Sequence, residues 1–248
     1  MLIPRYSFLL TRFGTFQSVW SFAKKQGFVE RDIVQGVEMP RQLPPKKSFF
    51  APGEIQTLIS VASPRWKTPI ILGAESGMRR GEIFGLRIRD IDFKSGVIHV
   101  RNARALGKDG SPKSGKERTT PVSKAELEML REHLGTRREG YVFLTPLRTF
   151  RNRKTGISRP VGGGPVGLSE ASLSFDIILK KAGLKRPGLS WHALRRARAT
   201  ALLQAGCSMA HLRSWLGWSD DLTAEGYINV SEATYAAAMV EKASTLLI

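Results

Sequence analysis

Six side chains, at Arg79, Lys113, His192, Arg195, Trp218 and Tyr227, are of the types that could together break a phosphodiester bond without a metal ion. A phenol can act as a nucleophile and remain as a covalent ester, which divides one difficult displacement into two easier ones. Two guanidiniums can hold the non-bridging oxygens and the charge that develops on them. An amine and an imidazole can move the protons, and an indole N–H adds one further donor. The histidines His99, His133, His192 and His211 show no metal-ligand spacing, so no metal and no cofactor are expected. The chain carries 39 Lys and Arg against 21 Asp and Glu, a formal charge of +18. An excess of that size marks a polyanion-binding surface, and nucleic acid is the commonest polyanion a soluble protein meets, so the phosphodiester is expected to be in DNA. Charge alone also fits a basic but merely solvated surface.

The local settings of these residues bear on the same chemistry. Arg79 lies in Gly77-Met78-Arg79-Arg80-Gly81-Glu82, with Glu82 three residues on and able to hold the arginine in place. The same spacing suits an ordinary ion pair within a helix. His192 and Arg195 are also three apart, in Trp191-His192-Ala193-Leu194-Arg195, on a helix that Ser190 can cap. They can share a face there, next to a helix N-terminus that favours bound phosphate. Read blandly, they are a surface histidine beside a solvated arginine. Lys113 falls in Pro112-Lys113-Ser114-Gly115-Lys116-Glu117-Arg118, between two strands, with Lys108 and Lys116 as rival amines. Tyr227 stands nine residues beyond Trp218 of Leu216-Gly217-Trp218-Ser219.

The elements that must position these residues are mostly helical. Apolar residues from Leu9 to Phe22 predict a helix over 7–26 ended by Gly27, then a short second element over 30–37. Met39 to Ser48 is rich in Pro and Lys and reads as an extended linker. It divides a helical segment, 1–45, from a larger domain, 46–248. Helices are expected at 52–62, 66–75 and 80–86. Strands follow at 91–93, 97–100 and 118–122, with a long basic hairpin tip, expected to be mobile, over 101–116. Ser123 and Glu126 form a capping box that opens a helix to about Leu134. The stretch 145–167, with Gly162-Gly163-Gly164-Pro165, reads as loop. The single cysteine, Cys207, excludes an intramolecular disulfide framework and is expected as a small buried thiol. No apolar run has a membrane span's length, and no signal-peptide core opens the chain, so a cytoplasmic protein is expected.

Residues 49–230 plainly resemble the tyrosine recombinases, the phage-integrase and Xer-type enzymes. The resemblance rests on Gly77 to Glu82, Lys113 in Lys-Ser-Gly-Lys-Glu-Arg, His192-Ala-Leu-Arg195, Leu216-Gly217-Trp218 and Tyr227, in that order and spacing. It implies an α+β fold, mainly helical with a small antiparallel sheet, closing on DNA opposite a helical N-terminal domain. It also implies the mechanism. Tyr227 attacks the scissile phosphate to give a 3′-phosphotyrosyl bond and a free 5′-hydroxyl, with neither ATP nor metal. Arg79 and Arg195 hold the phosphate, Lys113 protonates the leaving oxygen, His192 assists at the nucleophile, and Trp218 donates its indole N–H. A homo-oligomer, a tetramer on paired sites, is the implied working form, with an accessory DNA-bending protein as a further partner, in integration or excision of a mobile element.

Several residues depart from the family's commonest pattern. Trp218 stands where histidine is more usual, Arg196 follows the second arginine in place of a histidine, and Ile228-Asn229 follows Tyr227. Tyr235 is a second phenol, at the wrong distance from Trp218. Only Phe16 to Val37 matches the end of a core-binding domain, which reads as a truncated integrase whose Phe13, Phe16, Val19 and Trp20 lack packing partners. Two alternatives use the same basic surface. A catalytically silent, truncated integrase would act only as a helix-turn-helix-like DNA-binding protein, through 201–218. A type IB topoisomerase would share the tyrosine chemistry. The apolar face of 232–248 could dock on a neighbouring subunit or pack on its own domain.

Overall fold

A computed structural model describes residues 3–34, 37, 48–105, 107–110, 117–151 and 158–218. Lys113, Lys116, Tyr227, Tyr235, most of the linker and the 232–248 segment lie outside the described residues. The chain divides into two units, Met1–Pro45 and Lys46–Ile248. In the first, helix α1 (Ile3–Lys25) ends where Gly27 turns to φ 75° and the Phe28 N–H returns to the Ala23 carbonyl at 2.9 Å. The expected short element over 30–37 is absent among the described residues, which form bends there. Side chains compete with a helix at this point: Asp32 accepts from Lys24 Nζ at 3.0 Å and from the Val34 N–H at 3.2 Å. Phe16, Val19, Phe22 and Phe28 are exposed.

The larger unit opens with α2 (Glu54–Val61), α3 (Pro64–Glu75) and α4 (Arg80–Gly85). A 3-10 turn, Ile88–Asp90, then leads into β1 (Ile91–Asp92) and β2 (Val97–Val100). After β2 the chain makes a separate hairpin, β3 (Ala103–Ala105) against β4 (Lys108–Gly110), and returns as β5 (Arg118–Pro121). The sheet order is β1-β2-β5, antiparallel throughout, with His99 opposite Thr119. Helix α5 (Lys124–Leu134) starts at the expected capping box: Ser123 Oγ accepts the Glu126 N–H at 3.2 Å, and Glu126 returns a carboxylate oxygen to the Ser123 N–H at 2.7 Å.

The stretch 145–167 corrects the loop reading, because β6 (Arg148–Arg151) and β7 (Ser158–Val161) pair within it. Their sequences, Arg-Thr-Phe-Arg and Ser-Arg-Pro-Val, carry too little apolar alternation to announce a strand. The chain closes its core with α6 (Leu168–Lys181), α7 (Trp191–Gln204) and α8 (Met209–Leu216). Cys207 is only partly buried, in the turn between α7 and α8.

Aromatic packing fixes the element that carries Arg79 and Glu82. Phe84 on α4 meets Trp66, Phe143 and Trp191 edge-on, at centroid distances of 6.0, 5.8 and 5.2 Å, and Phe175 lies 4.7 Å from Trp191. Such edge-to-face contacts fix orientation as well as bury area. Gly81, on the same short helix, lets β3 approach: a Cβ there would stand 2.6 Å from the Arg104 carbonyl oxygen. Ala199, Leu203, Leu212, Leu216 and Trp218 form a second, smaller core between α7 and α8.

Candidate active site

A helix of α8's kind leaves its last carbonyls without intrahelical partners and concentrates negative partial charge at that end. Here three successive carbonyls are met by three different arginines. Arg118 Nε donates to Trp215 O at 3.1 Å, Arg195 Nη2 donates to Leu216 O, and Arg79 Nη2 donates to Gly217 O at 3.0 Å. Arg195 also donates to the Gly77 carbonyl at 2.7 Å, so it ties the turn before α4 to the end of α8. Gly217 takes φ 64°, and the Gly217 and Trp218 N–H groups both return to Arg213 O. Trp218 is therefore delivered from a fixed point, with the Arg195 guanidinium 5.7 Å from its ring centroid.

Glu82 holds the cluster together. It is 1% exposed and accepts four hydrogen bonds: from the Arg79 N–H (2.7 Å), Arg79 Nη1 (3.0 Å), Arg118 Nη1 (2.9 Å) and Arg118 Nη2 (2.6 Å). Burial by itself would raise its pKa, but the bidentate bond to Arg118 and the charges of Arg118 and Arg79 outweigh it and bring the value to about 2. The carboxylate is thus ionised at any physiological pH.

The sequence expectation that Glu82 holds Arg79 is met, whereas Arg118 is a residue that sequence reasoning missed. Its signal was indirect. A buried carboxylate beside one arginine still has lone pairs to satisfy, and a strand-opening arginine is a ready partner. Arg196 adds charge beside the site, where it helps lower the His192 pKa; its guanidinium also donates to Ser48 O (2.7 Å) and Gly188 O (2.9 Å) and lies over Phe49, so it anchors the chain entering the unit.

His192 occupies the first turn of α7 and is exposed, while Arg195 on the same helix is 1% exposed. Ser190 sits at the N-cap, but its side chain makes no capping bond. The crowded surroundings lower the His192 pKa, and the charges of Arg195, Arg80, Arg196 and Arg79 lower it further, which favours neutral imidazole. The structure therefore brings Arg79, Arg195, His192 and Trp218 into one region. Of the three rival lysines only Lys108 is described; it lies exposed on β4. That hairpin is held by Asp109, which accepts from Arg87 at 2.9 Å, from Arg104 at 3.3 Å and from the Tyr141 hydroxyl. No group of three or more His, Cys, Asp or Glu that could hold a metal ion occurs among the described residues. No helix among them is long and apolar enough to cross a membrane.

This arrangement has relatives. The tyrosine recombinase XerA of Pyrococcus horikoshii is 27% identical over 219 residues, covering 87% of this chain and 67% of the relative. A XerC-like tyrosine recombinase of Caldanaerobacter subterraneus is 24% identical, and the chain spans 60% of its length. Among solved structures, the Tn1549 transposon integrase in complex with circular intermediate DNA superposes with a TM-score of 0.70 over 96% of this chain and 80% of that one, at 18% identity. A lambda integrase dimer bound to a core site gives 0.62 over 87% of this chain and 57% of that one, at 17% identity. At such identities the superpositions establish the fold, which is that of the integrase catalytic domains. The sequence profile of the phage integrase family covers residues 49–234, the span that contains the arginine cluster, α7 and α8. The chain belongs to the phage integrase family.

Proposed function

We propose that this chain is a site-specific recombinase of double-stranded DNA that works through a 3′-phosphotyrosyl intermediate on Tyr227. The observation that carries the reading is the convergence of Arg79, Arg118 and Arg195 on the end of α8, with Glu82 joining Arg79 to Arg118 and His192 nearby. Two oriented guanidiniums and a neutral imidazole are what a phosphodiester needs as it gains a fifth oxygen. In the proposed step the Tyr227 oxygen forms a bond to phosphorus as the bond to the 5′-oxygen breaks. His192 receives the phenolic proton and Lys113 supplies one to the departing oxygen. Trp218 donates to the phosphate. Attack by a 5′-hydroxyl from a second duplex then reverses the chemistry and joins new partners, so the bond energy stays in the ester and no ATP is used. Exchange between two duplexes asks for several copies on paired sites, which fits a homo-oligomer, and insertion or excision of a mobile element is the proposed setting.

The test is covalent capture. Protein and fragmented source DNA are mixed without magnesium or ATP, denatured in detergent, and the DNA that stays attached is sequenced. Adducts are expected with the native chain and none with Tyr227→Phe. Adducts that persist in Tyr227→Phe would remove this tyrosine as nucleophile. Tight DNA binding with no adduct from the native chain would favour the second reading, DNA binding without catalysis through α7, its turn and α8.

A further inference from the structure

Arg80 follows Arg79 directly, yet its side chain turns away from the Glu82 cluster to donate to Ser172 Oγ on α6. Among the described residues no carboxylate lies within ion-pair reach of it. It is partly buried, and burial lowers its pKa. A guanidinium with one neutral acceptor at Ser172 keeps further donors that can turn to an anion. It lines a cavity of about 240 Å³ whose polar wall also includes Ser172, Ser190 and His192, over a floor that includes Phe175 and Trp191. The one carboxylate that lines it, Asp176, is already engaged by Lys180 at 3.2 Å and by Lys185. The Arg80 guanidinium in the cavity is thus not paired with that carboxylate, and His192 lies under the influence of Arg195 and Arg80 together.

We infer that Arg80, held by Ser172 and lying beside His192, provides a second phosphate subsite that binds a DNA backbone phosphate flanking the scissile one. The inference rests on the proposed binding of the scissile phosphate by Arg79 and Arg195. Phosphates recur every ~3.4 Å of helix axis along one strand, so a strand seated on the arginine cluster presents a neighbouring charge to the adjoining cavity. His192 then stands between two phosphates. Arg80 fixes the register of the strand and takes no part in bond breaking.

The experiment measures binding of the full chain to a duplex of fixed, arbitrary sequence over a series of salt concentrations, in a Tyr227→Phe background so that no cleavage intervenes. Each phosphate contact contributes about 0.9 to the slope of log Kobs against log salt. Arg80→Gln is expected to reduce that slope by about one, whereas Ser172→Ala, which keeps the cation, is expected to leave it nearly unchanged. A second arm places an uncharged methylphosphonate at successive linkages around a captured cleavage site. Arg80 protein should lose affinity at one flanking linkage, and Arg80→Gln should be indifferent to that linkage alone. An unchanged slope, or equal sensitivity of both proteins at every linkage, overturns the subsite. So does a Ser172→Ala protein that matches Arg80→Gln in both binding and thermal stability, since Arg80 would then only join α4 to α6. Failure of the subsite leaves the Tyr227 adducts intact, and failure of the recombinase reading leaves the salt slope readable.

Discussion

Arg118→Met is the substitution that most directly tests how the site is assembled. The side chain is 8% exposed and gives two hydrogen bonds to a carboxylate that is itself fully buried, plus a third to Trp215 O. Removing one member of a buried ion pair costs roughly 3–5 kcal/mol, because the other charge is left behind. Arg79 stays within 3.0 Å of Glu82 and offsets part of that loss, while the orphaned Trp215 carbonyl adds about 1 kcal/mol. A net loss of roughly 4 kcal/mol is expected, a large share of a typical stability of about 5–15 kcal/mol. Equilibrium urea unfolding, followed by tryptophan fluorescence, measures it, since Trp215 and Trp218 adjoin the cluster. Glu82→Gln should be costly as well. The double variant should cost less than the sum by about 2 kcal/mol, because it leaves no uncompensated carboxylate. DNA adducts should fall with Arg118→Met although Arg118 is given no contact with the phosphate. A loss under about 1 kcal/mol with no coupling between the two positions would refute the reasoning and leave Arg79 as Glu82's sole effective partner.

The same cluster makes stability depend on pH with a definite sign. Glu82 titrates at about 2 in the folded chain and near 4.5 otherwise, so its contribution is present above 4.5 and is lost as pH falls through 2. The loss should total roughly 3 kcal/mol, and Glu82→Gln should abolish that part of the acid slope in urea titrations. Gly77→Ala should be damaging on two counts: φ is +67° there, and the new Cβ would stand 2.5 Å from Leu216 Cδ2. About 1–3 kcal/mol of destabilisation is expected. Near-native thermal stability would mean that the turn before α4 yields easily.

The order of elements was legible where a local signal was strong. The capping box at Ser123 and Glu126 and the strands flanking Lys94-Ser95-Gly96 carry such signals, and the three helices after residue 52 lie within about two residues of their expected bounds. The β6–β7 hairpin was not legible, since its strands lack alternation and depend on their neighbours. Within the site, Arg79 with Glu82 could be read from a three-residue spacing, but Arg118 lies 36 residues from Glu82 and Trp215 is 97 residues from Arg118. No local pattern encodes such a pair. The anchoring role of Arg196 was hidden for the same reason, because its acceptor at Ser48 lies 148 residues away.

The arrangement also explains how several guanidiniums can sit together beside one carboxylate. Three guanidiniums against one carboxylate would repel one another in a low-dielectric setting. Here the excess charge is met by the carbonyl end of α8, where the carbonyls of Trp215, Leu216 and Gly217 each accept from one arginine. The planar guanidinium has donors pointing in several directions, so Arg195 can grip Gly77 O and Leu216 O at once and fix both sides of the site. An ammonium group on a flexible stem has no such rigid fork. The donors are therefore oriented by the protein's own backbone, and a bound phosphate would meet a geometry already set, with little reorganisation left to oppose the reaction.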